Sequence, residues 1–408
     1  MARWILLLAF IFLLEWYSFQ AFRVFFKTKT SMISYWVVTL LLLCLFVFLF
    51  SKFDRRVGQT RETLFTVGLL LLIVVPKLLI SCTLILEDIV RLFAAVYHKI
   101  VGTESFIIPN RRKFISQIGL GLAAVPFLSL IYGMTKGKYQ FKIFKYQLFF
   151  DDLPEAFDGF TLTQISDIHS GSFDNPEKIT EAIKLINDNP TDLFLFTGDI
   201  VNTHAKEMHP WIDTFKSIRQ YPHGKFSILG NHDYGEYVEW SSQKEKADNF
   251  AAIKYLHQEV GFKLLLNEHV RIQKDGQEMV LVGVENWGVN FKQAGDLKKA
   301  AEGIRPEEFK ILMSHDPSHW EKEVKHDPNH YHLTLSGHTH GLQFGIEIPG
   351  WFKWSPVQYI YKQWAGLYEH QGRLINVNRG FGFHAYPGRV GIWPEITLIE
   401  LKKTKKLS

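Results

Sequence analysis

The stretch Leu335-Ser336-Gly337-His338-Thr339-His340-Gly341 decides how the chain is read. Two histidines flank one small residue, a glycine stands on either side, and an apolar run, His332-Leu333-Thr334-Leu335, leads in. In an extended segment residues two apart project from the same face, so His338 and His340 can point into one site. Neutral imidazole is a common ligand for transition metals, and glycines let the backbone turn sharply beside ions. Whether this pair belongs to a metal centre depends on acidic and amide side chains arriving from elsewhere in the chain.

Such side chains follow a series of short apolar runs. Candidate strands are 160–165, 193–196, 226–229, 279–284, 310–313 and 333–335, and helical patterns at 176–187 and 211–219 separate the first three. Pro176 stands at the first turn of its helix, just after Asn175. This alternation predicts an α/β domain with two sheets sandwiched between helices. The first run ends in Ile165-Ser166-Asp167-Ile168-His169 and the second in Thr197-Gly198-Asp199-Ile200-Val201-Asn202. The third ends in Leu229-Gly230-Asn231-His232-Asp233, and a later one in Met313-Ser314-His315-Asp316-Pro317. Ligand sites of open α/β sheets gather at the carboxyl ends of strands, so these residues can converge. Asp, His and Asn together suit manganese, iron or zinc. Taken singly, a strand-ending Asp or Asn is explained as a cap or turn former. A lone histidine such as His315 is more often a hydrogen-bonded residue than a ligand. Repetition at successive strand ends is hard to explain as independent accidents, and one shared metal site is expected.

The front of the chain reads differently. Apolar residues make up 47% of the whole, and much of the Phe, 34 residues in all, falls in the first third. Four membrane helices are expected, at about 4–26, 33–50, 64–86 and 114–132. Lys77, inside the third, is costly in lipid unless it faces other helices or snorkels. Ile89, Leu92, Phe93, Val96, Tyr97 and Ile100 recur at helical spacing, either as an amphipathic helix on the membrane or as a continuation of the third span. Asn110-Arg111-Arg112-Lys113 precedes the fourth span and reads either as a twin-arginine export signal or as a cytoplasmic anchor. Both readings send the rest of the chain outward. Residues 1–138 are therefore expected as a membrane region and 139–408 as a second domain on the exported side. A formal net charge of +5, with both signs mixed after residue 138, argues against a dedicated nucleic-acid binder. Both cysteines, Cys44 and Cys82, lie in apolar N-terminal segments, so thiolate ligands and a disulfide framework are excluded from the second domain.

As an ordered set, Asp-x-His, Gly-Asp, Gly-Asn-His-Asp, a lone His and Gly-His-Thr-His resemble the calcineurin-like metallophosphoesterase superfamily. The likeness covers roughly 141–401. Within the superfamily the chain most resembles the bacterial membrane-associated phosphodiesterase branch. The segment Leu153-Pro154-Glu155-Ala156-Phe157-Asp158-Gly159, the ending Pro394-Glu395-Ile396 and the paired arginines share in this likeness. More distantly it extends to UDP-2,3-diacylglucosamine hydrolases. The resemblance implies a two-sheet β-sandwich flanked by helices behind a multi-pass anchor in the bacterial cytoplasmic membrane. It implies two divalent ions: Asp167, His169 and His340 on the first, Asn231, His315 and His338 on the second, and Asp199 bridging both. His232 would act beside the metals as general acid or charge stabiliser, with Asp233 as its orienter. Two departures stand out: Asn202, where many relatives carry Asp, and Asp233, where many carry Glu.

The expected reaction is hydrolysis of a phosphodiester or pyrophosphate bond by a metal-bridging hydroxide, on a lipid-linked or membrane-proximal substrate. A phosphomonoesterase of the same fold is the nearest alternative, and a non-catalytic tethered binding protein a more distant one. Arg379 and Arg389 lie in glycine-rich segments, where either could clamp a phosphate or pack on nearby aromatics. The aromatic insert 349–361 (Trp351, Phe352, Trp354, Tyr359, Tyr361) reads as a substrate rim, a membrane-interface element or a packed lid.

Overall fold

The computed structural model describes residues 2–102, 111–348 and 350–404, with side chains from residue 9 onward. The chain divides into two compact units, one of Met1–Lys52 and Phe65–Met134, the other of Phe53–Leu64 and Thr135–Ser408.

The first unit is helical: α1 (Ala2–Arg23), α2 (Lys29–Ser51), α3 (Arg61–Val101, whose first turn belongs to the second unit) and α4 (Arg111–Thr135). Among the described residues α2, α3 and α4 are long and apolar enough to cross a membrane. The first expected span forms α1, and the side chains at its start lie outside the described set. The 41 residues of α3 make a rod of roughly 60 Å at 1.5 Å per residue. The apolar recurrence at 89–100 is therefore a continuation of the third helix, not a separate interfacial one. Lys77 is reconciled with an apolar setting by an ion pair to Glu15 of α1. The paired arginines also have partners: Arg112 lies 2.6 Å from Glu87 and 3.0 Å from Asp88, and Arg111 3.4 Å from Glu87. These contacts tie the start of α4 to α3, a structural role independent of any export signal.

The second unit holds fourteen strands among its described residues: β1 (Lys142–Phe150), β2 (Thr161–Ile165), β3 (Leu193–Phe196), β4 (Lys225–Ser227), β5 (Lys263–Leu264), β6 (Glu268–Lys274), β7 (Gln277–Gly283), β8 (Lys310–Met313), β9 (Leu333–Ser336), β10 (Ile346–Ile348), β11 (Phe352–Trp354), β12 (Gly366–His370), β13 (Arg373–Val377) and β14 (Glu395–Lys403). One six-stranded sheet runs β1-β14-β2-β3-β4-β5 and another β12-β13-β9-β8-β7-β6, while β10 and β11 form a separate hairpin. The central strands β2 to β5 are mutually parallel, as are β7, β8, β9 and β13. Parallel strands are covered on both faces, which is why they appear in sequence as continuous apolar runs.

The side-chain period of two divides these runs between layers. Leu193 and Leu195 face inward, where Leu162, Ile228, Leu281, Ile311 and Leu335 join them in the layer between the two sheets. Phe194 and Phe196 face outward and are covered by helices α5 (Pro176–Asn187), α6 (Ile212–Lys216) and α7 (Gln243–Glu259) through Ile183, Phe215 and Ile253. Burying side chains of this size contributes about 1.5–3 kcal/mol each. The two-sheet sandwich flanked by helices is thus observed. Helix α5 starts as its sequence predicts: the Asn175 side chain accepts from Lys178 N–H at 3.1 Å, and Pro176 occupies the first turn. Its apolar residues Ile179, Ala182, Ile183 and Ile186 recur at helical spacing on the covered face. Strand β1, at the sheet edge, pairs in parallel with β14 over nine residues, and both mix apolar residues with Lys, Gln or Glu, so no apolar run marks them.

Candidate metal centre

Strands β2, β3, β4, β8 and β9 bring their carboxyl ends to one edge of the sandwich. There Asp167, His169, Asp199, Asn231 and His315 are all buried. The backbone turns abruptly: Asp167, His169, Asp199, His338 and His340 have φ of 53°, 47°, 63°, 72° and 50°. Left-handed conformations at non-glycine residues cost of order 1–3 kcal/mol and cluster at functional sites. Two glycines make room for the close approach. A Cβ on Gly337 would overlap the Ser166 hydroxyl and the Asp167 carboxylate, and one on Gly230 would overlap the carboxylate of Asp199.

The side chains fall into two nests. In the first, Asp167 Oδ1 lies 3.3 Å from His340 Nε2 and 3.9 Å from His169 Nε2. In the second, His315 Nε2 lies 3.2 Å from Asn231 Oδ1, and His338 Nδ1 lies 2.7 Å from the same oxygen. Asp199 reaches both: its Oδ2 is 3.6 Å from His169 Nε2 and 3.1 Å from His315 Nε2. Asp167, His169 and His340 form one group able to hold an ion, Asp199, His315 and His338 another, and His169, Asp199 and His232 a third.

Hydrogen bonds outside the nests fix how the imidazoles are presented. His315 Nδ1–H donates to the Thr197 carbonyl at 2.6 Å. His169 Nδ1 sits 3.1 Å from Asn202 Oδ1, whose own NH2 donates to Ser172 Oγ at 3.1 Å. A nitrogen that donates outward leaves the opposite nitrogen of a neutral ring as a lone pair, so the Nε2 lone pair of a neutral His169 faces carboxylate oxygens. His340 Nε2 is buried without a hydrogen-bond partner among the described residues. Lone pairs turned toward carboxylates repel unless a cation lies between them, and this donor set fits a divalent metal site. Burial pushes the His169 imidazole well below its ordinary pKa, and its histidine neighbours add to this. Burial works against the Asp167 carboxylate, but His340 and His315 outweigh it and hold the group below the usual range. Burial likewise opposes a charged His315, yet Asp199 and Asp167 raise it to about 10.

A cavity of about 420 Å³ opens over the nests, lined by His169, Asp199, Asn231, His232, His338 and His340 among others. Residues 160–342 match the family described as calcineurin-like phosphoesterase, and residues 2–138 one described as a probable calcineurin-like phosphoesterase, transmembrane domain. The uncharacterized metallophosphoesterase YkuE of Bacillus subtilis (strain 168) is 31% identical over 255 residues, covering 62% of this chain and 82% of its own. The chain belongs to the calcineurin-like metallophosphoesterases. A transmembrane protein with metallophosphoesterase domain from Danio rerio is 25% identical over 282 residues, 67% of this chain and 60% of that one. The UDP-2,3-diacylglucosamine pyrophosphatase LpxG of Chlamydia muridarum (strain MoPn / Nigg) is 26% identical over 283 residues, 56% of this chain and 81% of that one. This metallophosphoesterase is accordingly a phosphoric ester hydrolase that carries an N-terminal transmembrane domain.

Several expected neighbours stand elsewhere. Asp233 does not orient His232. Its carboxylate accepts from the backbone N–H groups of Asp199, Ile200 and Gly230 at 3.0, 3.0 and 2.8 Å, pinning the turn that presents Asp199. His232 is oriented instead by the Asn202 carbonyl, 2.7 Å from its Nδ1. Arg379 is not a phosphate clamp. It is buried against Glu395 at 2.5 Å, is held by both oxygens of Glu347, and lies over the Phe144 ring. Arg389 is also buried, donating to the Gly380 and Gly382 carbonyls, with Nη2 3.1 Å from His340 Nδ1. Neither arginine lines the cavity, because buried carboxylates and carbonyls already take up their donors. The aromatic insert divides. Tyr361 reaches His338 Nε2 at 2.8 Å and Val357 is buried, whereas Trp351 and Tyr359 are exposed and Pro349 lies outside the described residues. His384 lines the cavity and its ring lies 4.4 Å from that of His232. It follows a glycine-rich turn, not an apolar strand, so nothing in its spacing marked it.

Proposed function

We propose that Asp167, His169 and His340 hold one divalent cation, that Asn231, His315 and His338 hold a second, and that Asp199 serves both. The reading is carried by one observation: a single Asp199 oxygen lies within 3.6 Å of the facing nitrogens of both His169 and His315. Manganese, iron or zinc suit this mixture of imidazole, carboxylate and amide. A bound pair lowers the pKa of water toward neutrality and draws charge from phosphoryl oxygens. Among the described residues no Lys or Arg lines the cavity, so neutralising a phosphate there would fall to the cations. His232 donates its backbone N–H to Asp199 Oδ1 at 2.8 Å and its Nδ1–H to the Asn202 carbonyl at 2.7 Å, which leaves Nε2 toward the cavity. The negative charge of an arriving phosphoester favours a ring protonated from solvent, against burial, and the ring would then give that proton to the leaving oxygen. Asp233 keeps Asp199 in place.

The preferred substrate is a phosphodiester or pyrophosphate borne by a lipid-linked or membrane-proximal molecule. The candidate membrane helices and the pyrophosphatase named as the LpxG relative support this class. The chain would be a multi-pass protein of a bacterial cytoplasmic membrane, with its catalytic unit on the exported side. Reporter fusions at 113 and 136 would report opposite sides, with 136 outside. For the full chain in detergent, Asp199→Asn is expected to lose both cations by metal analysis and to lose turnover. His232→Ala should keep the cations and lose about 10²–10⁴ in rate. Two retained metal equivalents in Asp199→Asn would refute the shared site. Aryl phosphate monoesters turned over as well as diesters would favour the monoesterase instead.

A further inference from the structure

The segment Phe53–Leu64 joins α2 to α3, two candidate membrane spans, yet it folds with the catalytic unit. Its attachment is specific. Gln59 bridges two loops of the metal centre: its NH2 donates to Ser172 Oγ at 3.3 Å, and its carbonyl accepts from Ala385 N–H at 3.1 Å. Those loops carry His169 and His384. Arg61 donates to the Phe173 carbonyl at 2.9 Å, Glu239 N–H donates to the Arg55 carbonyl at 3.0 Å, and Leu64 is buried in the apolar cluster that contains Phe173. Gly58, at φ 75°, approaches Val238 so closely that a Cβ would stand 2.7 Å from it. Held this way, Phe53, Gly58, Gln59 and Thr63 line the cavity together with Tyr237 and Phe291.

None of these residues belongs to the groups able to hold an ion. We propose that Phe53–Leu64 is the substrate-selecting wall of the catalytic cavity: Phe53 meets an apolar or aromatic group esterified to the phosphate, and Gln59 is the positioning residue that fixes the wall. The proposal rests on the metal-centre reading above. Aromatic rings from this segment and from the Tyr237 and Phe291 loops give the cavity an apolar rim around a polar floor. The wall is continuous in sequence with two candidate spans, which suits a substituent borne by a membrane lipid.

The test uses the full chain in detergent, loaded with manganese, with binding of phenylphosphonate and methylphosphonate followed by calorimetry. These probes share the phosphonate and differ only in the group that the wall would meet. Wild type is expected to prefer phenylphosphonate by about tenfold, the usual worth of one added apolar contact in a shaped pocket. Phe53→Ala should reduce that preference to about twofold or less, with methylphosphonate affinity and metal content unchanged. Gln59→Ala should lose part of the preference in the same way. A Phe53→Ala chain that keeps the wild-type preference, or a wild type that has none, overturns the proposal. Failure of the metal-centre reading has a different signature, namely fewer than two bound cations in wild type.

Discussion

Asn202→Ala is the most informative perturbation of the metal centre, because Asn202 holds an imidazole without lying in either nest. Its Oδ1 is 3.1 Å from His169 Nδ1, and its NH2 is committed to Ser172. That bond selects the tautomer and the rotation of a ring whose Nε2 must face Asp199 and Asp167 at 3.6 and 3.9 Å. Alanine removes the constraint and leaves a buried Nδ1–H unpaired. A neutral hydrogen bond contributes roughly 0.5–1.5 kcal/mol, and leaving a buried donor unsatisfied costs about 1–3 kcal/mol. Outer partners of ligating histidines are worth about 10–100-fold in metal affinity. The structure places the effect on the nest that contains His169, so the expected outcome is about a 10–30-fold loss in affinity for one cation, with the other nearly unchanged. Titration of metal-free protein against a competing chelator separates the two binding steps. Asn202→Asp, a stronger acceptor at the same place, should hold or tighten the affected step. If Asn202→Ala binds both cations within twofold of wild type while Asn202→Asp changes nothing, the orienting role is refuted.

Other outcomes follow from the same geometry. Gly337→Ala should weaken metal binding, because its methyl group collides with Ser166 and Asp167; metal content after gel filtration measures this, and full occupancy would contradict the packing. Arg379→Ala strands Glu347 and Glu395, so unfolding in urea should show a loss of about 3–5 kcal/mol, while KM of the folded fraction stays unchanged, as a phosphate clamp would not allow. Burial pushes His257 down to about 3, against about 6.5 in the unfolded chain, so the unfolded state takes up the proton first as pH falls. The stability it contributes is fully present above pH 6.5 and is lost toward pH 3 at about 1.4 kcal/mol per pH unit. Denaturant melts of metal-free His257→Leu should accordingly fall less steeply than wild type between pH 6 and 4, and parallel profiles would refute a neutral buried ring.

The seven candidate ligands were legible because each lies within a few residues of a strand end, where local chemistry writes the signal. An apolar run of four or five residues sets a buried parallel strand, and the glycine or polar residue that ends it sets the turn. Helix α5 was equally readable, since the Asn175 cap and Pro176 act on their own first turn. Strands β1 and β14 were not, because β1 lies at the sheet edge, β14 beside it mixes apolar with polar residues, and their pairing joins residues some 250 positions apart in sequence. Side-chain roles that depend on what lies across a gap were also beyond the sequence. Arg379 and Arg389 carry the right chemistry for a phosphate, but packing encloses them with Glu347, Glu395 and the glycine carbonyls. Asp233 follows His232 directly, yet the turn sends its carboxylate to the backbone of Asp199 and leaves the histidine to Asn202.

Sequence alone therefore determined which residues could bind a metal and the type of sandwich that carries them, because ligand type and strand period are local properties. Tertiary structure alone decided that one oxygen of Asp199 reaches both nests, that Asn202 orients His169, and that Phe53, Gly58, Gln59 and Thr63, from the segment between two candidate spans in sequence, line the cavity. Those relations are distances between segments far apart in the chain, and only the packing of the sheets and loops sets them.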